Sequence, residues 1–417
     1  MIVLLVSRDF HWVFGQLTNA LPRYNKQIEF LYAHADLAAK EPEEFLNLVR
    51  QADIVHFVTN LAHISGDSIN EALKLRPSVA GLYHATCDEE YKILAVKKAT
   101  LIHVMSSEWK EYLTNNSNVS HDKIWQIPFG VDTRFFYTNT LNTYSKSTGV
   151  EFRLGSFANA NSVRTGFDRK GIDTLLELTR LLERDEGKYV LCITGQNWKN
   201  VLNVKSRGIE HHGFVSRQQL RNLYHGLDAY LITSRIEGGP VTLMEAMATG
   251  VPVISTNVGM SRDLILHGQN GFLVTESVPE EFYELIAFLR RHSNVAATVA
   301  RYARETIESY DWSRIAPIYG EMYHKLSATP SLTSRIPNTV CFRGREMNFK
   351  EQRESIVAEN NLKWAKELLG KWEIRQAYNQ IWQDEVLRRT PLPLMYLVAR
   401  HIRMMTYKLS HRFSLER

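Results

Sequence analysis

Glu237 and Glu245 stand on either side of the run Gly238-Gly239-Pro240. The apolar, β-type run Ala229–Ile232 leads into this loop, and Pro240 is expected at a first helical position, where its missing N–H costs nothing. Glu237 then lies on the loop and Glu245 inside the helix. Glycines ahead of a helix N-terminus let a ligand approach free backbone N–H groups, and the helix dipole favours a phosphate or another anion there. A carboxylate cannot bind that anion itself. Two glutamates flanking an anion site suit hydroxyl groups on either side of it, as a sugar and a ribose would offer. The same pattern also fits a capped surface helix with solvated glutamates.

The elements that would position these residues repeat along the chain. Short apolar runs at Ile2–Val6, Ile28–Tyr32, Ile54–Val58, Val79–Tyr83, Leu101–Met105 and Ile124–Ile127 alternate with polar-faced helical segments. A polar passage, Thr138–Gly149, follows, and the alternation resumes with Phe152–Phe157, Tyr189–Thr194, Ile209–His212, Ala229–Ile232, Val253–Ser255 and Phe272–Val274. Alternating strands and helices imply parallel sheets covered on both faces. The expected class is α/β, with two doubly wound domains over residues 1–145 and 146–310 facing across a cleft. Ligands of such sheets bind outside the carboxyl ends of the strands. A closing helix is expected over 311–330. Residues 331–417 lack strand-like runs, are rich in helix formers and carry Trp364, Trp372, Tyr378, Trp382 and Tyr396, which points to a helical extension.

The chain has 417 residues, 44% of them hydrophobic and 11% aromatic, which excludes a disordered or fibrous protein. Met1–Val6 is apolar, but Arg8 and Asp9 interrupt it short of a signal-peptide core, so it reads as a buried strand in a cytoplasmic protein. No run approaches the roughly 18–20 apolar residues of a membrane span. Cys87, Cys192 and Cys341 show no metal-ligand spacing, so no metal site is expected. A formal charge of +5 favours anionic ligands or surfaces and is too weak to indicate nucleic acid. Much of the basic character falls in 388–417, where seven Arg or Lys face the single acid Glu416. Leu394, Leu397, Val398, Ile402, Met405 and Leu409 fall near one helical face there. Such a helix fits an anionic membrane surface, or packing against the first domain.

Gly213-Phe214-Val215, Asp228-Ala229, Ser234 to Glu245, Ala246-Met247-Ala248, Gly250-Val251-Pro252-Val253-Ile254, Gly259 and Gly268-Gln269-Asn270-Gly271-Phe272-Leu273-Val274 follow one another in a fixed order. In this the chain resembles the family-4 retaining glycosyltransferases (glycosyl transferases group 1), over about Met1–Leu326. The resemblance implies two Rossmann-like domains of the GT-B fold. It implies a nucleotide-sugar donor, UDP- or GDP-linked, with Glu245 on the ribose hydroxyls and Glu237 on hydroxyls of the transferred sugar. The backbone of Gly238, Gly239, Val241, Thr242 and Leu243 would bind diphosphate oxygens, and Gly213, Phe214, Val215 and Gly15 would complete the donor site. Cations for the leaving diphosphate come from the loop Ser156–Gly171. There Lys170 matches the family, Arg164 is the candidate second cation and Arg169 the alternative, which as a lone residue reads as a solvated loop charge. Cationic side chains can do this work without a metal.

His84, after the run Val79–Tyr83, matches the family's histidine facing the reacting centre. The family's first loop is usually glycine-rich, whereas Ser7–Gln16 contains only Gly15; Phe10, His11 and Trp12 there suit either stacking on an acceptor sugar or packing under the loop. The implied reaction moves a hexosyl unit to a hydroxyl of a glycan or glycolipid, with retention and without a catalytic carboxylate pair. Two other readings use the same frame: a nucleotide-sugar epimerase and a non-catalytic nucleotide-sugar-binding scaffold.

Overall fold

A computed structural model describes residues 1–8, 13–61, 64–84, 98–117, 119–138, 151–160, 168–184, 189–198, 201, 208–213, 215–275, 277–328, 339–342 and 345–348. Two compact units emerge, Met1–Pro337 and Asn338–Arg417.

The first unit contains two six-stranded sheets. In the first sheet, β1 (Ile2–Ser7), β2 (Glu29–His34), β3 (Ile54–Phe57), β4 (Ser78–Gly81), β5 (Leu101–Val104) and β6 (Ile124–Gln126) are all parallel, in the order β2-β1-β3-β4-β5-β6. β3, β4 and β5 are buried at every residue, as expected of parallel strands with helices on both faces, while the edge strand β2 is largely open. In the second sheet, β7 (Phe152–Phe157), β8 (Tyr189–Thr194), β9 (Ile209–His211), β10 (Ala229–Ile232), β11 (Val253–Thr256) and β12 (Phe272–Val274) follow the order β12-β11-β10-β7-β8-β9. The chain runs outward from β7 to β9, then returns to β10 and runs the other way. That reversal leaves a crevice at the carboxyl ends of β7 and β10, where doubly wound sheets bind ligands. The loop after β7 leads to Arg169 and Lys170, and the loop after β10 carries Glu237.

The helix Trp312–Ala328 returns from the second sheet to the first. At its start Trp312 N donates to the Val131 carbonyl (3.1 Å) and Val131 N to the Tyr310 carbonyl (3.0 Å), and Asp311 accepts from the backbone N–H groups of Thr133 (3.1 Å) and Ser313 (2.9 Å). Further along, Asn25 Nδ2 donates to the Ala316 carbonyl at 2.9 Å, and Tyr323 OH lies 2.6 Å from His56 Nδ1. Tyr319 OH lies 3.2 Å from Nε2 of His103. Burial pushes the His103 imidazole down to about 4, against the opposing hydrogen bond to Ile127, and holds His56 well below its usual range. These polar pairs are enclosed in a continuous apolar core with residues from both sheets and this helix.

In the second unit the described residues form one antiparallel hairpin, β13 (Thr339–Phe342) with β14 (Arg345–Asn348). This corrects the expectation of a strand-free extension: Thr339-Val340-Cys341-Phe342 is rich in β-formers. The basic stretch 388–417 lies outside the described residues. Among the described residues, no helix is long and apolar enough to cross a membrane.

Candidate active site

β10 is buried at every position and delivers Thr233 through Pro240 to the start of the helix Val241–Ala248. Pro240 stands one residue before that helix, and its carbonyl accepts from Leu243 N at 2.9 Å. The loop is joined to the turn Asp168–Gly171. Thr233 Oγ1 donates to the Lys170 carbonyl (3.0 Å), Arg235 N to the Arg169 carbonyl (2.8 Å) and Arg235 Nη1 to the Asp168 carbonyl (3.1 Å). Gly171 has φ 62°, and a side chain there would overlap the Thr233 carbonyl, so only glycine lets the two segments close on each other.

This join sets Arg169 and Lys170 against Glu237, which is only 7% exposed. One carboxylate oxygen accepts from Lys170 Nζ and from Ser234 Oγ at 3.1 Å; the other lies 3.2 Å from Arg169 Nη1. Burial alone would raise this carboxyl. The charges of Lys170 and Arg169, the Lys170 hydrogen bond and the charge of His84 outweigh it and hold Glu237 down at about 2. Arg169 is therefore no solvated loop charge, as its sequence context suggested. Its guanidinium also donates to the Ile236 carbonyl at 3.1 Å.

The first sheet closes on this loop from the other side. A side chain at Gly238 would overlap the Tyr83 carbonyl, so the glycine admits the protein's own backbone. The indole of Trp109 donates to the Glu237 carbonyl at 2.8 Å. Asn60 fixes the segment before His84: its side-chain oxygen accepts from Tyr83 N (2.8 Å), and its Nδ2 donates to the His84 carbonyl (2.9 Å). His84 is half-buried and close enough to Glu237 to lower its carboxyl.

Glu245 is 3% exposed inside the helix Val241–Ala248. Tyr224 OH donates to Oε2 at 3.1 Å, and Gln16 Nε2, from the helix Val13–Tyr24, donates to Oε1 at 3.4 Å. Burial raises this carboxyl to about 7, against the opposing effects of Gln16, Arg217 and Tyr224. The first-turn N–H groups of Val241 and Thr242 lie at the helix end between the two glutamates, where a helix leaves donors for an anion, while that of Leu243 is taken by the Pro240 carbonyl.

The structure thus brings Glu237, Lys170, Arg169 and His84 into one cluster. Gly15 is buried beside Gln16. Gly213 and Val215 follow the edge strand β9, with Gly213 at φ 63°. Arg164, Phe214, Phe10, His11 and Trp12 lie outside the described residues. Asn60, Gln16, Ser234, Trp109 and Tyr224 were not singled out from the sequence, because each acts through a partner distant in the chain or reads as an ordinary core or loop residue.

Cys192, Glu210 and His212 form a separate cluster whose possible ligand atoms lie within 4.8 Å of one another. Arg153 already supplies a cation there, 2.6 Å from Glu210 Oε2 and 3.1 Å from Cys192 Sγ, and burial raises the thiol to about 11.

Residues 160–306 match the model of the family Glycosyl transferases group 1. This stretch is a glycosyl transferases group 1 domain. Lys170, Glu237 and Glu245 fall inside it; His84, in the segment after β4, and Gln16, on the helix after β1, come before it. The chain is 27% identical over 277 residues to a probable sucrose-phosphate synthase of Thermosipho melanesiensis, covering 63% of each protein. It is 25% identical over 279 residues to a putative colanic acid biosynthesis glycosyltransferase, WcaL, of Salmonella typhimurium, covering 61% of this chain and 65% of that one. The alignments thus span less than two thirds of either relative. In three dimensions it resembles Anabaena HepE, solved in complex with UDP-glucose, with a TM-score of 0.63 at 17% identity, over 78% of this chain and 99% of the other. The two six-stranded sheets therefore have the GT-B fold.

Proposed function

We propose that this protein is a retaining glycosyltransferase of family 4 that moves a hexosyl unit from a UDP- or GDP-sugar to a hydroxyl of a glycan or glycolipid, in the assembly of a cell-envelope polysaccharide or lipopolysaccharide. The observation that carries the reading is Glu237, buried and held ionised by Lys170 and Arg169 beside the N-terminus of the helix Val241–Ala248. An ionised carboxylate accepts strong hydrogen bonds from sugar hydroxyls, and the same two cations are placed to receive a diphosphate. Glu245 takes the ribose.

As the bond from the anomeric carbon to phosphate breaks, negative charge grows on the departing oxygen. Lys170, Arg169 or Arg164, and the helix N-terminus stabilise it, and a single contact of this kind is worth about 2.7–4 kcal/mol of barrier. The acceptor oxygen bonds to the same face of the sugar and its proton passes to the departing phosphate oxygen. No metal is required in this scheme. His84 faces the reacting centre from the first sheet. The WcaL and HepE likenesses support an envelope glycan and a UDP-linked donor.

Incubation with a panel of UDP- and GDP-hexoses, with and without glycan and glycolipid acceptors, tests the proposal. Transfer to an acceptor is expected. Epimerised donor without any acceptor, or nucleotide-sugar binding without turnover, would overturn it.

A further inference from the structure

Gln16 lies on the helix Val13–Tyr24 that follows β1 of the first sheet, and its side chain reaches Glu245 on the helix Val241–Ala248 that follows β10 of the second. The orientation of its carboxamide follows from its partner. The amide nitrogen faces Glu245 Oε1 at 3.4 Å and the amide oxygen turns away, the arrangement that an ionised Glu245 requires. That oxygen, Gln16 Oε1, is buried and has no hydrogen-bond partner among the described residues. A buried acceptor left unpaired is costly, and such an atom asks for a donor. Its neighbour Glu245 is also an acceptor, with Oε2 already engaged by Tyr224. Two acceptors, on helices that follow strands of different sheets and linked by one N–H, match a ligand with two adjacent hydroxyl groups.

We propose that Gln16 is a specificity-determining residue that accepts one hydroxyl of the donor's ribose while Glu245 accepts the neighbouring one, so that the diol is read from both sheets at once. This rests on the reading of Glu245 as the ribose-binding residue. It gives the first sheet a direct share in recognising the nucleotide, and makes close approach of the two sheets a condition for reading the diol.

The test is calorimetric titration of the full-length protein with UDP and GDP and with the 2′-deoxy and 3′-deoxy forms of each. Wild type, Gln16→Leu, Gln16→Asn and Glu245→Gln are compared, and nucleotide-free melting shows that each variant is folded. The wild type should prefer the intact ribose over both deoxy forms by about tenfold. In Gln16→Leu the preference over one deoxy form should disappear while the other remains; the shorter Gln16→Asn serves if Gln16→Leu does not fold. A role for Gln16 confined to positioning Glu245 through its N–H would instead weaken both preferences together, and that result would overturn the inference. Both preferences surviving in the Gln16 variants while Glu245→Gln loses one would overturn this inference alone. A wild type that binds nucleotide without any preference, or binds neither nucleotide, would overturn the reading of Glu245 together with it.

Discussion

Two buried carboxylates a few residues apart are pulled in opposite directions by their surroundings. Burial works against the charge of both. Glu237 has Lys170 and Arg169 to reverse the effect, whereas Glu245 has mainly the neutral donors of Gln16 and Tyr224. The signs of their pH dependence therefore differ. Glu237 sits at about 2 when folded, against an ordinary 4.5, so its stabilisation is complete above pH 4.5 and lost as pH falls toward 2. Glu245 sits at about 7, so the folded state keeps a proton that the unfolded chain releases, and stability falls as pH rises from 4.5 to 7. Each shift corresponds to about 3 kcal/mol. Melting curves across pH 3–9 should show Glu245→Gln gaining on the wild type as pH rises from 4.5 to 7, and Glu237→Gln losing least as pH falls below 4.5. Parallel curves for the three proteins would contradict these assignments. On the role proposed above for Glu245 at the ribose, nucleotide affinity should rise through pH 7 in the wild type more than in Glu245→Gln.

At the scale of elements, Gly238 ties the second sheet's loop to Tyr83 of the first. Gly238→Ala should push the His84 segment away from Glu237 and cost about 1–3 kcal/mol through overpacking. Turnover should fall further than nucleotide affinity, because Glu245 lies on the helix beyond the displaced loop. Unchanged melting and turnover would contradict this. The twelve parallel strands were legible in the sequence, since strands buried on both faces appear as continuous apolar runs; Phe152–Phe157, Tyr189–Thr194, Ala229–Ile232 and Phe272–Val274 agree to the residue. Glu237, Glu245 and Lys170 were legible because they sit inside ordered local motifs. Arg169 was misjudged, and Asn60 and Gln16 were missed, because their roles depend on partners 67, 24 and 229 residues away. The hairpin at 339–348 was hidden by the helix-forming composition around it.

At the scale of the whole molecule, the two sheets share one core and one return helix, so the Glu237 cluster and the Gln16–Glu245 pair are assembled from distant parts of the chain. We further propose that the basic stretch 388–417 holds this site at an anionic membrane surface, peripheral and cytoplasmic, where a lipid-linked acceptor would lie. Deleting 388–417 should abolish co-sedimentation with phosphatidylglycerol vesicles, and undiminished binding would remove the membrane role. The most direct measurement of the central claim is kcat/KM for sugar transfer in Lys170→Ala and Glu237→Gln, each checked for native melting. A fall of about 10²–10³ in both is the expected result. Wild-type transfer in both variants would show that the reaction happens elsewhere.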